Sequence, residues 1–354
     1  MMKFISDCLL ISTEVTLVML LMLFITVIAT VVAVKVAKGT KNSDPLQREL
    51  ENLELKDVTE VYKAVKSHMQ KTVLDEDELK KIEAEKKKEE KEERKARKKN
   101  KSSLEEPIKK NRIFVLSFNG DTEASQSDVL SSQISAVLSV AEPSDEVILK
   151  LTSPGGLVHE YGYAASQLSR IRQKGIKLTV CVDKVAASGG YMMACIGSRI
   201  ISAPFAVIGS IGVVAEFPNF NRLLKKLNVD YEQETAGEYK RTLSMLGDNS
   251  DPKAREKFRQ ELEECHQLFK NHVSKYRPQI DINEIATGEH WFGVDAVKKH
   301  LVDDISTSDD YILTKIENSN NQVYEFVEKE PKKSLLKKLI SGAYHGVIGS
   351  TKVM

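Results

Sequence analysis

The sequence predicts an α/β domain with a largely parallel sheet, carried behind an apolar N-terminal segment and a charged linker. Three observations carry this prediction. From Arg112 to about Asp309, short apolar runs alternate with longer stretches of helical spacing, as strand–helix repeats do. Val15 to Val34 are twenty consecutive residues without a charge. Lys86 to Lys101 then carry ten basic and four acidic side chains.

The 354 residues divide on these signals into five parts. Residues 1–14 are a flank holding Lys3, Asp7 and Glu14. Residues 15–34 are long enough to cross about 30 Å of hydrocarbon as a helix, and are read as a retained anchor because no basic leader or A-x-A site surrounds them. Residues 35–110 are a charged linker, helical or disordered, with an amphipathic helix expected over Leu53–Met69. Residues 111–310 form the folded domain, and residues 311–354 a tail whose basic amphipathic stretch, Lys332 to Ile340, suits a membrane surface or a short solvent-facing helix.

Within the domain the expected strands are Ile113–Phe118, Val147–Leu151, Ile176–Val182, Arg199–Ser202, Ile211–Ala215 and Asp230–Glu234. The expected helices are Ser127–Ala141, Leu157–Lys174, Tyr191–Ile196 and Asp251–Tyr276, the last capped by Asp251 and stopped by Pro278. A helix is also expected within Ile282–Ile305. The apolar run Ala186–Ala206 is not a second span, because Arg199, Ser188-Gly189-Gly190 and a proline interrupt it.

Composition narrows the function. A net charge of +1 gives no general attraction for nucleic acid. Cys8, Cys181, Cys195 and Cys265 have no paired spacing, so they read as small buried hydrophobes rather than a disulfide framework or zinc site. His159-Glu160 lacks the second histidine of an HExxH helix, and no phosphate-binding loop is present. No cofactor or metal is expected.

The chemistry gathers at Lys184-Val185-Ala186-Ala187-Ser188-Gly189-Gly190-Tyr191. A serine among small residues at a strand-to-helix junction admits a carbonyl carbon, and the helix N-terminus favours a developing oxyanion. A tight turn with Ser188 as helix cap fits the same local sequence. A second glycine turn, Ser153-Pro154-Gly155-Gly156, follows another apolar strand. No Gly-x-Ser-x-Gly elbow occurs and the seven histidines are scattered, which leaves Lys240, in Thr235-Ala236-Gly237-Glu238-Tyr239-Lys240, as the leading activator of Ser188.

These motifs, with Ser202–Ala215 (SAPFAVIGSIGVVA) and Ala286–Gly293 (ATGEHWFG), occur in the order and approximate spacing of a known family. From about Arg112 to Asp309 the chain resembles the signal peptide peptidase A family of membrane-bound serine proteases. The resemblance implies a ClpP/crotonase-like spiral fold and peptide-bond hydrolysis through a Ser188–Lys240 dyad. It matches Ser210 to the serine that positions the dyad lysine, and it implies an oxyanion hole from the backbone N–H groups of Gly156 and Gly189. It also implies ring-like homo-oligomers whose sites combine adjacent subunits, peptide or protein substrates, and a bacterial inner-membrane location. A neutral lysine is required near working pH. Because a free lysine titrates near about 10.4, the fold must desolvate Lys240.

Two matters stay open at this level. Lys35, Lys38 and Lys41 after the span place the domain in the cytoplasm by the positive-inside rule, whereas the wider family acts on the outer side. A non-catalytic membrane scaffold, or an acyl-CoA-handling enzyme of the same fold, would also use glycine loops. The enzyme alternative predicts acidic catalysts beside those loops.

Overall fold

The computed structural model describes residues 53–102, 110–318 and 320–329. The expected anchor at 15–34 and the basic stretch 332–340 lie outside them. Among the described residues no helix is long and apolar enough to cross a membrane.

In chain order the elements begin with β1 (Leu53–Asp57), α1 (Val58–Val73), α2 (Glu76–Ser102), β2 (Asn111–Asn119), α3 (Ser127–Leu138), β3 (Glu146–Thr152) and α4 (Val158–Gln173). Then come β4 (Lys177–Val182), β5 (Val185–Ala187), α5 (Gly189–Ala194), β6 (Arg199–Ser202), β7 (Val207–Gly209), α6 (Asn221–Lys226) and α7 (Pro252–Tyr276). The last are α8 (Ile282–Ile285), β8 (His290–Phe292), α9 (Gly293–Ala296), β9 (Asp304–Ile305), α10 (Ser308–Glu317) and β10 (Asn321–Glu328). The main sheet runs β1-β10-β2-β3-β4-β6-β9, parallel except where edge strand β1 meets β10. A small sheet, β5-β7-β8, joins it through a bridge between Ser153 and Ala186.

Parallel strands buried on both faces need cover on both. On one face Phe114, Leu116, Phe118, Leu149 and Val180 meet Leu130 and Ile134 of α3 and Leu168 and Ile171 of α4. On the other, Ile113, Val115, Ile148, Cys181 and Ile201 meet Ile312 and Ile316 of α10, with Val58 and Tyr62 of α1 beside them. That second face draws on residues outside the expected limits of the domain. Cover for it comes from residues assigned to the linker and the tail, and β1 and β10 extend the sheet with residues from both flanks.

Other expectations shift for local reasons. Leu53–Asp57 is a strand rather than helix because β10 offers it a partner; Asp57 then caps α1 by accepting from the Glu60 N–H at 3.1 Å. The expected strand at Ile211–Ala215 is absent, and β7 lies just before it. At Ser210 the backbone adopts φ 52° and turns the chain out of the sheet. The expected strand Asp230–Glu234 has no strand partner, and residues 231–240 are exposed throughout. Ala186–Ala206 passes through β5, α5 and β6 inside the core. Cys181 and Cys195 are buried free thiols, and burial pushes Cys181 up to about 12.

Two carboxylates fasten the start of β3. Burial pushes the Glu146 carboxyl up, but bonds from Lys315, Thr179 and Tyr311 outweigh it and hold the group below its ordinary value. Asp145 is likewise raised by burial, yet held low overall by Arg112 and by the N–H groups of Glu142 and Arg112. A depressed folded value stabilises the fold above the ordinary carboxylate range and loses that contribution as pH falls through it. Chemical unfolding midpoints are therefore expected to drop between neutral pH and about pH 3, and less steeply in Lys315→Met than in the parent. Equal slopes in the two proteins would remove Glu146 from the account.

Candidate active site

Ser188 sits between β5 and α5 with φ 52° and ψ −121°, a conformation that costs a non-glycine residue energy. No side-chain capping bond explains it. Neighbouring backbone holds the strain in place: the Ser188 N–H donates to the Gly209 carbonyl at 2.8 Å, and its carbonyl accepts from Met192 N–H at 3.0 Å. Ser188 stands at the N-cap position of α5, but its hydroxyl makes no capping bond to the helix.

Ser210 stands beside it by register. Strands β5 and β7 pair in parallel with Ala187 opposite Gly209, so Ser188 and Ser210 are the next residues on adjacent strands. Both have φ 52° and both are half-buried. The Ser210 N–H donates to the Glu289 carbonyl at 2.6 Å, and the Trp291 ring lies under Gly209. The His290-Trp291-Phe292 motif thus serves as the third strand of the small sheet.

The second glycine loop closes on the first. Gly155 has φ +91°, and a Cβ there would lie 2.7 Å from both the Gly189 nitrogen and the Ser188 Cβ. Gly189 rests on the Tyr161 ring, where a Cβ would come within 2.4 Å of carbon. Among the described residues neither the Gly156 N–H nor the Gly189 N–H has a hydrogen-bond acceptor. The latter belongs to the first turn of α5, where amide donors point outward. Ser188, Gly156 and Gly189 line one small cavity of about 20 Å³, closed by Val158, Met192, Gly212, Val213, Cys265 and Phe269.

Several of these parts carry no sequence signal. A relay of hydrogen bonds fixes the glycine loop: Gly155 N–H to Ser153 Oγ at 3.1 Å, Ser153 to Tyr161 Oη at 2.6 Å, and Tyr161 to the Asp121 carbonyl at 2.7 Å. Burial raises the Tyr161 phenol above its ordinary value, so it stays a donor. Helix α7 supplies Cys265 and Phe269 to the cavity wall and steadies the loops, with His266 Nε2 3.3 Å from the Ile211 carbonyl and His272 Nε2 2.9 Å from that of Met192. Burial lowers His272, favouring the neutral ring. The Tyr161–Asp121, His266–Ile211 and His272–Met192 contacts span 40, 55 and 80 residues and leave no local pattern. Gly189→Ala is expected to cut the rate of Ser188 acylation about 100-fold if this amide is the oxyanion donor the resemblance implies, because the ring beneath it forces the amide to move. Acylation at the parental rate would show that this amide takes no part.

Lys240 is placed differently. It is exposed, lies in a Gly237–Lys240 turn, and is absent from the cavity lining. Of the five expected residues the structure gathers Ser188, Ser210, Gly156 and Gly189, and leaves Lys240 on the surface of the single chain. A larger polar cleft of about 600 Å³ lies elsewhere, between α10 and the sheet, with Glu146, Arg199, Asp304 and Lys315 paired among themselves. Among the described residues no group of three or more His, Cys, Asp or Glu side chains could hold a metal ion.

Comparison with known proteins shows the family. The family model "Peptidase family S49" matches residues 170–322, and "Peptidase family S49 N-terminal" matches residues 9–168. The chain belongs to peptidase family S49. It is of the SohB type: it is 57% identical over 288 residues to "Probable protease SohB" of Haemophilus influenzae, covering 81% of this chain and 80% of that protein. A "Probable protease SohB" of Buchnera aphidicola is 51% identical, covering 67% and 70%. The H. influenzae "Protease 4" is 28% identical over 60% of this chain and 35% of its own length. The two S49 matches meet inside α4, so they divide one continuous sheet.

Proposed function

We propose that this S49 peptidase is a membrane-anchored serine endopeptidase that cleaves peptide bonds through an acyl-enzyme on a Ser188–Lys240 dyad. The observation that supports it best is a strained serine facing a cavity that also receives the unpartnered N–H groups of Gly156 and Gly189. Ser188 Oγ attacks the scissile carbonyl as Lys240 takes its proton, and the two amides receive the oxyanion. The C–N bond then breaks, the proton passes to the leaving amine, and water releases the acyl group by the reverse relay. Ser210 accepts a hydrogen bond from Lys240 and fixes its rotamer.

In this reading Lys240 reaches Ser188 from a neighbouring copy of the chain. The segment around it exposes Val214, Leu223, Leu227, Tyr239 and Met245, more apolar surface than a monomer usually leaves in water. Packing that surface against a neighbour desolvates the amine, the condition a lysine base requires. The paired sheets joined at Ser153–Ala186 suit the ClpP/crotonase-like spiral. Among the described residues no carboxylate lines the cavity, which speaks against acid-catalysed acyl-CoA chemistry. Residues 15–34 anchor the protein in the inner membrane, and its substrates are unfolded or membrane-released peptides.

The test is a fluorophosphonate probe on the full chain in detergent, followed by peptide mapping. Label on Ser188 that vanishes in Lys240→Ala supports the dyad. Label on another residue, or none on a folded oligomer, refutes it.

A further inference from the structure

Helix α1 is amphipathic, yet its apolar stripe does not face its own domain. Val61, Val65, Met69 and Val73 recur every four residues and are 54%, 55%, 54% and 72% exposed. The helix is held at the border of this stripe, by Val58 and Tyr62 against the α10 cluster and by Thr59, whose Oγ accepts the Val323 N–H at 2.9 Å. About 18 Å of aliphatic stripe is left uncovered.

The charges beside the stripe indicate what covers it. Helix α1 carries Lys63, Lys66 and Lys71 against a single acid, Glu60, which Lys63 pairs at 2.9 Å. Among the described residues Lys66 and Lys71 have no ion-pair partner. A stripe one side chain wide offers less than the roughly 800 Å² per partner of a stable protein interface. An aliphatic stripe with Lys66 at its edge and Lys71 on the polar side of the same helix matches a lipid surface, with methyl groups at the acyl boundary and ammonium groups among phosphates. The chain outside the described region allows it. The uncharged run ends at Val34 and the fold begins at Leu53, and the eighteen residues between them reach up to about 60 Å.

We infer that α1 is a second membrane contact, lying along an anionic bilayer surface through Val61, Val65, Met69 and Val73 with Lys66 and Lys71 on headgroup phosphates. The inference rests on the anchored reading above. Its consequence is orientation: a domain tethered at one end and laid down along α1 holds its Ser188 cavity at a fixed attitude to the bilayer.

The experiment uses the full chain reconstituted in phosphatidylethanolamine–phosphatidylglycerol vesicles, with and without brominated acyl chains. Val65→Trp and Met69→Trp each add one indole to the native Trp291, and Tyr163→Trp on α4 is the control. The added emission at 65 and 69 is expected to shift to the blue and to be quenched by bromine, while the control is not. Adding Lys66→Glu and Lys71→Glu is expected to restore the emission at 65. Unquenched emission at both positions, or equal quenching in the control, overturns the inference. Cross-linking of Met69→Cys between two copies in place of quenching overturns it in favour of a protein contact. Retention on the vesicles after alkaline carbonate reads the anchor separately, so retention without quenching refutes α1 docking alone.

Discussion

Peptide hydrolysis is expected to fall by at least about 1,000-fold in both Ser188→Ala and Lys240→Ala, and to return when the two variants are mixed. In the proposed dyad, removing the hydroxyl deletes the nucleophile from a strained turn. Removing the amine deletes the proposed base, although within one chain Lys240 is exposed and away from the cavity. If each site takes its serine from one copy and its lysine from the next, unfolding and refolding the variants together regenerates intact sites. Random mixing in a closed ring gives about one site in four. Activity near that level supports the shared site. A mixture that stays inactive while forming normal oligomers refutes sharing between copies and leaves the nucleophile standing. Full activity of Lys240→Ala alone would remove the lysine from the mechanism.

The second large effect concerns stability. Asp303→Ala is expected to cost about 3 to 5 kcal/mol, because it strips the counter-charge from a buried guanidinium. The Arg277 side chain is 3% exposed and binds Asp303 through two bonds of 2.9 and 2.8 Å. The same carboxylate accepts the Ile200 N–H at 2.7 Å, so one residue ties the end of α7 to β6. The His300 carbonyl, 2.7 Å from Arg277, cannot balance the charge alone. For a domain of this size the loss corresponds to a melting temperature lower by roughly 6 to 20 °C. Because α7 also carries Cys265 and Phe269 into the cavity wall, Ser188 labelling should become heat-sensitive in parallel. The double variant Arg277→Met, Asp303→Ala should recover part of the stability, since it leaves no buried charge unpaired. A double variant no better than Asp303→Ala would show that the carboxylate matters through Ile200 rather than through the ion pair.

Much of the central domain is legible residue by residue. Runs such as Val147–Leu151 and Ile176–Val182, bounded by glycine and proline, are strands within one or two residues of their expected ends. The long helix from Asp251 is legible because the cap and the terminating proline are local features. Failures occur where a distant partner decides. Leu53–Asp57 has helical spacing, but an unpaired edge at β10 makes it a strand. Ile211–Ala215 is apolar enough for a strand, but the turn at Ser210 removes it from the sheet. Asp230–Glu234 has strand-like composition and no edge to join.

The candidate site divides along the same line. By themselves the residues select Ser188, through its small neighbours and its strand-to-helix position, and they select the glycine loops, because only glycine permits such close approach. They also determine the order of apolar strands and hence the α/β class. Tertiary structure alone decides that Ser188 is strained and makes no side-chain capping bond, that Ser210 stands next to it, and that Tyr161 clamps the loop from beneath. It alone decides that α1 and α10 cover the sheet's second face and that α1 turns its methyl groups outward. Dihedral strain, register and burial are properties of contacts between residues far apart in the chain, whereas propensity and hydrophobic period are properties of neighbours.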